Sequence, residues 1–306
     1  MPETTAPTDP SLFGFAIRTA EPLQFLREGG GSGALEIVEA TLPADQPEGV
    51  PLGEWPLHGT AYPARAALYR RPFGYEYWTS DAGRFLVDLE RGRIEIPSNG
   101  DPLLREQRLN GMPMLLSFAH RGDFSLHAAA VQVGGGAVIL AAPSRFGKTT
   151  LAFGFHRMGY RILSEDLVCC RPGTLEVLPG PALVRLRPDI YGGAPPIGMR
   201  VVAVRPDRIF LALEGRFRGS SAPLPILGVV FLREGEALRI EPAPVVDSMR
   251  DLWHLGFRLP TSEARAESFR ELTELVGAVP AWNVFRPLRL ECLDETVALI
   301  AGHTAR

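Results

Sequence analysis

Short apolar stretches separated by glycine and proline fill residues 11–100: FGFAIRT, ALEIVEA, FGYEYWTS, GRFLVDLE and GRIEIP. GRFLVDLERGRIEIP alternates imperfectly around a turn and predicts a β-hairpin. GGGSG, at 29–33, reads as a flexible loop inside this β-rich stretch. Residues 102–119 (PLLREQRLNGMPMLLSFA) follow a helical rhythm broken near Gly111–Pro113. From 124 the pattern sharpens. FSLHAAAVQV, a glycine turn and AVILAA predict strand, turn, strand. KTTLAFGFHRM places Leu151, Phe155 and Met158 at helical spacing, with Gly159 as the stop. YRILSEDLVCCR reads as the next strand, followed by β-like pieces in LEVLPG, ALVRLRP, VVAVRP, RIFLALEG and ILGVVFL. VVDSMRDLWHLGF, EARAESFRELTELVGA and LDETVALIAGH close the chain, the first two as helices. The expected organisation is a disordered tail at 1–10, a β-rich module at 11–101 and an α/β unit at 102–306.

Composition narrows the class. The chain has 306 residues, 45% of them hydrophobic, enough for a substantial core. A net charge of −3 gives no reason to expect nucleic-acid or anionic-membrane partners. The three cysteines, Cys169, Cys170 and Cys292, have neither disulfide nor zinc-knuckle spacing. The polar, proline-rich start lacks the features of a signal peptide, and no apolar run reaches the length of a membrane span. These features together lead us to expect a cytoplasmic location.

Candidate chemistry begins at APSRFGKTT. Gly147, Lys148 and Thr149 supply the second half of a Walker A pattern, but Ala142 stands where its first glycine belongs. The context fits, because an apolar strand feeds the loop and a helix opens at the lysine. Such a loop, here Ala142, Pro143, Ser144, Arg145, Phe146, Gly147, Lys148, Thr149 and Thr150, turns backbone N–H groups toward phosphates. Lys148 would neutralise β- and γ-oxygens, and the Thr149 hydroxyl would sit on Mg²⁺. If the first position needs positive φ, Ala142 costs about 1 kcal/mol or more; if it needs only a small side chain, alanine suffices.

The segment HAAAVQVGGGAVILAAPSRFGKTTLAFGFHRMGYRILSEDLV resembles the catalytic core of the HPr kinase/phosphorylase family. In order come a histidine (His127), the loop, a helix closed by MGY and a strand with two carboxylates, Glu165 and Asp166. LHAAAV, GYRILSED and VRLRP are closest to HPr-kinase-like proteins that resemble kinases of natural-product precursor peptides. The resemblance implies a P-loop kinase core with a mixed sheet and flanking helices, behind a β-rich module unlike the family's own N-terminal domain. It implies ATP and Mg²⁺, a serine or threonine hydroxyl of a peptide or protein as acceptor, and room for a homo-oligomer.

By the same resemblance Glu165 takes the general-base position and Asp166 joins Thr149 beside the metal. His127 tunes the base, and Arg208, with Arg205, stabilises the transferring group. Glutamate departs from the family's aspartate at 165. Adjacent residues on a strand point to opposite faces, so both carboxylates reach one site only if the strand ends or bulges there. Arg145 could reach a phosphate, and Arg185 and Arg187 alternate on one strand face suited to an acidic substrate. Two alternatives stay open: a nucleotide-binding regulator with a degraded loop, and a kinase of a small hydroxylated metabolite.

Overall fold

The computed structural model describes residues 9–57, 63–144, 146–219 and 221–304. The first eight residues of the expected tail, and Arg145 of the loop, lie outside the described residues.

An eight-stranded sheet forms first, in the order Ser11–Leu12, Phe15–Thr19, Ala34–Ala40, Arg93–Pro97, Gly83–Asp88, Gly74–Thr79, Ala64–Arg71 and Gly53–Leu57. The alternation in the sequence is the cause of its inner face: Leu35, Ile37, Ile94 and Ile96 are buried while Glu36, Val38, Arg93 and Glu95 are not. The expected hairpin is Gly83–Asp88 against Arg93–Pro97. The helical stretch after it breaks where glycine and proline fall together. Helix Pro102–Leu109 starts at Asp101, whose side chain accepts from Leu103 N, and helix Met112–His120 follows Gly111. Leu109, Leu115, Leu116 and Phe118 of these helices share one core with Phe85 and Ile94 of the sheet. Cys169 and Leu178 of the following unit join that same core.

The second unit is a nine-stranded mixed sheet. Its centre is parallel: Gly136–Ala141 beside Leu224–Glu234, and that strand beside Ala281–Arg286. Helices cover both faces, which is why AVILAA is apolar without alternation. Lys148–Arg157 and Leu293–Thr304 pack on one side through Leu151, Phe155, Val297 and Ile300. Val245–Leu255 and Ser262–Ala278 pack on the other through Leu252, Leu272 and Leu275. A three-stranded antiparallel sheet, Leu183–Leu186, Ile209–Leu213 and Met199–Val204, stands apart. No helix among the described residues is long and apolar enough to cross a membrane.

One element departs from expectation. YRILSEDLVCCR is two strands: Arg161–Ser164 pairs with Ala129–Val133, and Val168–Arg171 pairs with Phe124–Leu126 and Glu176–Leu178. Between them the chain turns, with Ser164 Oγ donating to Leu167 O. Apolar residues on both sides of the turn hide it from a reading by hydropathy.

Candidate active site: a lysine-headed helix and an acidic turn

The loop leaves strand Gly136–Ala141 at its carboxyl end and enters helix Lys148–Arg157 through Gly147. Gly147 is left-handed, with φ of 80°, a conformation that glycine adopts without penalty. A Cβ there would also meet Arg286 Nη2 at 2.6 Å. Arg286 is buried and donates from Nη2 to Phe146 O (3.0 Å), while its Nε has no hydrogen-bond partner. Burial lowers its pKa, and it stands as a second cation at the loop. The doubt about Ala142 is resolved by its backbone. Among described non-glycine residues positive φ occurs at Phe13 and Leu175, so Ala142 is unstrained, and its methyl group is buried in the core.

Lys148 folds back on the loop. Its Nζ donates to Ala142 O (2.8 Å) and Pro143 O (3.4 Å), and the residue is 7% exposed. Burial lowers its pKa, and the nearby Asp166 and Glu165 charges act the other way. Pro143 and Ser144 are exposed, Thr150 is half-buried, and Phe146 packs against the core.

Thr149 makes the connection to the acidic turn. Its Oγ1 donates to Glu165 Oε1 at 2.5 Å. Arg185 donates from Nε to Glu165 Oε2 (3.0 Å), and its Nη2 lies 2.7 Å from Asp166 Oδ2. His127 Nδ1 lies 3.3 Å from Asp166 Oδ1. Five side chains, Thr149, Glu165, Arg185, Asp166 and His127, thus form one polar chain beside Lys148. Both carboxylates reach the same guanidinium because strand Arg161–Ser164 ends before them.

The two acids differ in surroundings. Glu165 is 8% exposed, whereas the Asp166 side chain is 49% exposed. Burial would raise the Asp166 carboxyl, but Arg185 and His127 outweigh it and hold the group at about 2. Burial lowers the His127 imidazole, against the pull of Asp166. His127 sits just past strand Phe124–Leu126, and its N–H donates to Leu255 O (2.8 Å). A small cleft of about 70 Å³ opens over the turn, lined by Glu165, Asp166, Arg185, Gln107, Asn110 and Gly111 among others. Asn110 Nδ2 has no hydrogen-bond partner.

The remaining arginines are dispersed. Arg208 lies just before strand Ile209–Leu213, which pairs with the strand that carries Arg185. Arg208 Nη1 donates to Asp207 O (2.8 Å), and its charge acts on Asp189, which Arg187 holds in an ion pair. Arg205 pairs with Asp101. Sequence reasoning weighed Arg185 only as a substrate contact, and Arg286 carries no sequence signal beyond a basic residue at a strand end. Cys169 and Cys170 are buried and free, as expected of apolar packing residues.

No protein-family model and no curated protein matches the chain. Among solved structures it is similar to the Hpr(Ser) kinase/phosphatase from Coxiella burnetii, with a TM-score of 0.32 and 7% identity. The match covers 60% of this chain and 99% of that one.

Proposed function

We propose that this chain is an ATP- and Mg²⁺-dependent phosphotransferase that delivers the γ-phosphoryl group to a hydroxyl, with a serine or threonine of a peptide or protein as acceptor class. The observation that carries the reading is the 2.5 Å hydrogen bond from Thr149 to Glu165, which ties the lysine-headed helix to the acidic turn. The residues suit the groups the reaction needs. N–H groups at the start of helix Lys148–Arg157 favour anionic oxygen, and Lys148 and Arg286 add positive charge. Thr149, Glu165 and Asp166 are hard oxygen donors. Among the described residues no cluster of three or more His, Cys, Asp or Glu stands ready for a metal. A Mg²⁺ held by one or two carboxylates and substrate phosphates needs none. Bound there, Mg²⁺ would neutralise charge on the phosphates during transfer.

The geometry favours an allocation opposite to the one the family resemblance implies. Glu165, buried and bonded to Thr149, serves the metal side with that hydroxyl. Asp166, half exposed and facing His127, accepts the acceptor's proton. Arg185 fixes the direction of both carboxylates, and Lys148 exchanges the carbonyls of Ala142 and Pro143 for phosphate oxygens. Single-turnover transfer from γ-labelled ATP to hydroxyl peptides tests this. Glu165→Gln should weaken ATP·Mg²⁺ binding, whereas Asp166→Asn should bind normally and transfer roughly 100-fold more slowly or worse. The reverse pattern would restore Glu165 as the base. Absence of transfer to any hydroxyl peptide by the unmodified protein would remove the kinase reading.

One observation favours the regulatory alternative. Arg185 engages both carboxylates at once and so competes with a metal or a proton for them. A protein that binds ATP but gives no single-turnover product would fit that arrangement.

A further inference from the structure

The larger cavity lies away from the acidic turn. It has a volume of about 310 Å³ and lies between the eight-stranded sheet and helix Ser262–Ala278. Phe73, Leu89, Leu115, Phe257 and Leu259 give it apolar walls. Against them lies Glu271, 7% exposed, with no hydrogen bond or ion pair among the described residues. The field on Glu271 is acidic: Glu267, Asp123 and Glu274 act against the single guanidinium of Arg270. The other charges at the cavity are committed or at its margin. Asp123 is paired with Arg121 and Arg171. Arg70 bonds Tyr75 Oη (2.6 Å), and Arg258 stacks on Trp253 and donates to Trp253 O and Gly256 O. Glu90 and His120 also line the wall. A buried carboxyl without a partner in an apolar cavity either holds a proton or meets a cation, and a cation that docks there takes the proton's place.

The cavity is joined to the acidic turn by continuous chain. Phe124 and Ser125 line it, and two residues later His127 faces Asp166. Across an isolated bridge, Leu255 O, at the end of helix Val245–Leu255, accepts from His127 N and Gly256 pairs with Leu126, while Phe257 and Leu259 line the cavity. Three residues of extended chain span about 10 Å.

We propose that this cavity docks a lysine or arginine side chain of the acceptor chain, three or four residues from the hydroxyl that receives the phosphoryl group. The aliphatic stem lies against Leu115 and Phe257, and the cationic head meets Glu271. The proposal rests on reading the acidic turn as the transfer site, and its test is therefore a binding measurement.

Fluorescein-labelled alanine–serine peptides with one central serine and one lysine, at three or four residues on either side, are titrated by anisotropy. Partner peptides carry norleucine in place of lysine. The unmodified protein should bind the best lysine peptide roughly tenfold more tightly than its norleucine partner, the effect of one satisfied charge pair. Glu271→Gln should erase that preference, and Ala264→Phe, which fills the cavity at its wall, should remove binding by both. Equal binding of lysine and norleucine peptides, or a preference that survives Glu271→Gln, would overturn the proposal. So would a site that free spermidine occupies as tightly as any peptide, since that is a small-cation site. If the lysine preference holds but no peptide is phosphorylated, the docking site stands and the kinase reading falls.

Discussion

Arg27 holds the two units together without a carboxylate, and replacing it measures how much the junction matters. The side chain is 0% exposed. Its Nε donates to Gly180 O (2.6 Å), Nη1 to Arg218 O (2.6 Å), and Nη2 to Ile162 O and Leu163 O (both 2.9 Å). Burial, then repulsion from Arg161 and Arg218, pushes its pKa down to about 9. Arg27→Met takes the donor away from four buried carbonyls; a net loss of about 1 kcal/mol for each, partly recovered by burial of the methionine side chain, predicts about 3 kcal/mol of destabilisation.

Urea denaturation followed by tryptophan fluorescence reads this directly. With a slope of about 3 kcal/mol per molar urea, the midpoint should fall by about 1 M. Arg27→Lys should fall between, because an ammonium has three donors and no planar fork to serve four carbonyls. The carbonyls of Ile162 and Leu163 lie just before Ser164 and the acidic turn, so nucleotide affinity should drop in the Met variant even where it is fully folded. A midpoint within about 0.2 M of the unmodified protein would refute the reasoning. It would mean that the cost of burying the guanidinium cancels its bonds.

Lys148→Ala should abolish phosphoryl transfer while circular dichroism stays normal, and transfer at the normal rate would sink the phosphate-loop reading. Ala142→Gly would restore the first glycine of the Walker pattern. With negative φ and a buried methyl, it should instead cost about 1 kcal/mol of stability and leave nucleotide affinity unimproved, as thermal melts and ATP titration will read. Stability should depend on pH through Glu271, whose carboxyl is pushed up to about 7 by burial and then by Glu267. The folded state therefore holds this proton more tightly than the unfolded chain. Its stabilising contribution is full below the ordinary glutamate range and falls as pH rises toward 7 and past it, by up to about 3 kcal/mol. Glu271→Gln should flatten the decline of the urea midpoint between pH 5 and 8, and an unchanged slope would assign the effect elsewhere.

Much of the fold can be read from the hydropathy pattern because burial is periodic in most elements. Ile94 and Ile96 alternate with Arg93 and Glu95 on a strand with one buried face, and Leu151 and Phe155 repeat at helical spacing, so strand and helix follow from position alone. The acidic turn escaped for the opposite reason. Leu163 and Val168, on either side of it, are both fully buried but belong to strands with different partners. A buried run keeps its composition when it changes direction, and hydropathy carries no sign of the bend.

That bend is also what gives the site its order. Along one straight strand Glu165 and Asp166 would face opposite ways, and only one could approach the loop. Released from the strand after Ser164, they separate by partner: Glu165 toward Thr149, Asp166 toward His127, with Arg185 between them. The sequence contains every member of this chain, yet their adjacency depends on Arg185. That residue arrives from a different sheet, and its place beside the turn is set by the register of Leu183–Leu186 on Ile209–Leu213. A one-residue slip in that register would turn Arg185 to the opposite face and bring Val184 or Leu186 to the carboxylates. The acid pair would then lose its shared cation, and Asp166 would lose the main charge that holds its carboxyl at about 2. The chemistry of the turn therefore depends on the small three-stranded sheet as much as on the loop that first draws attention.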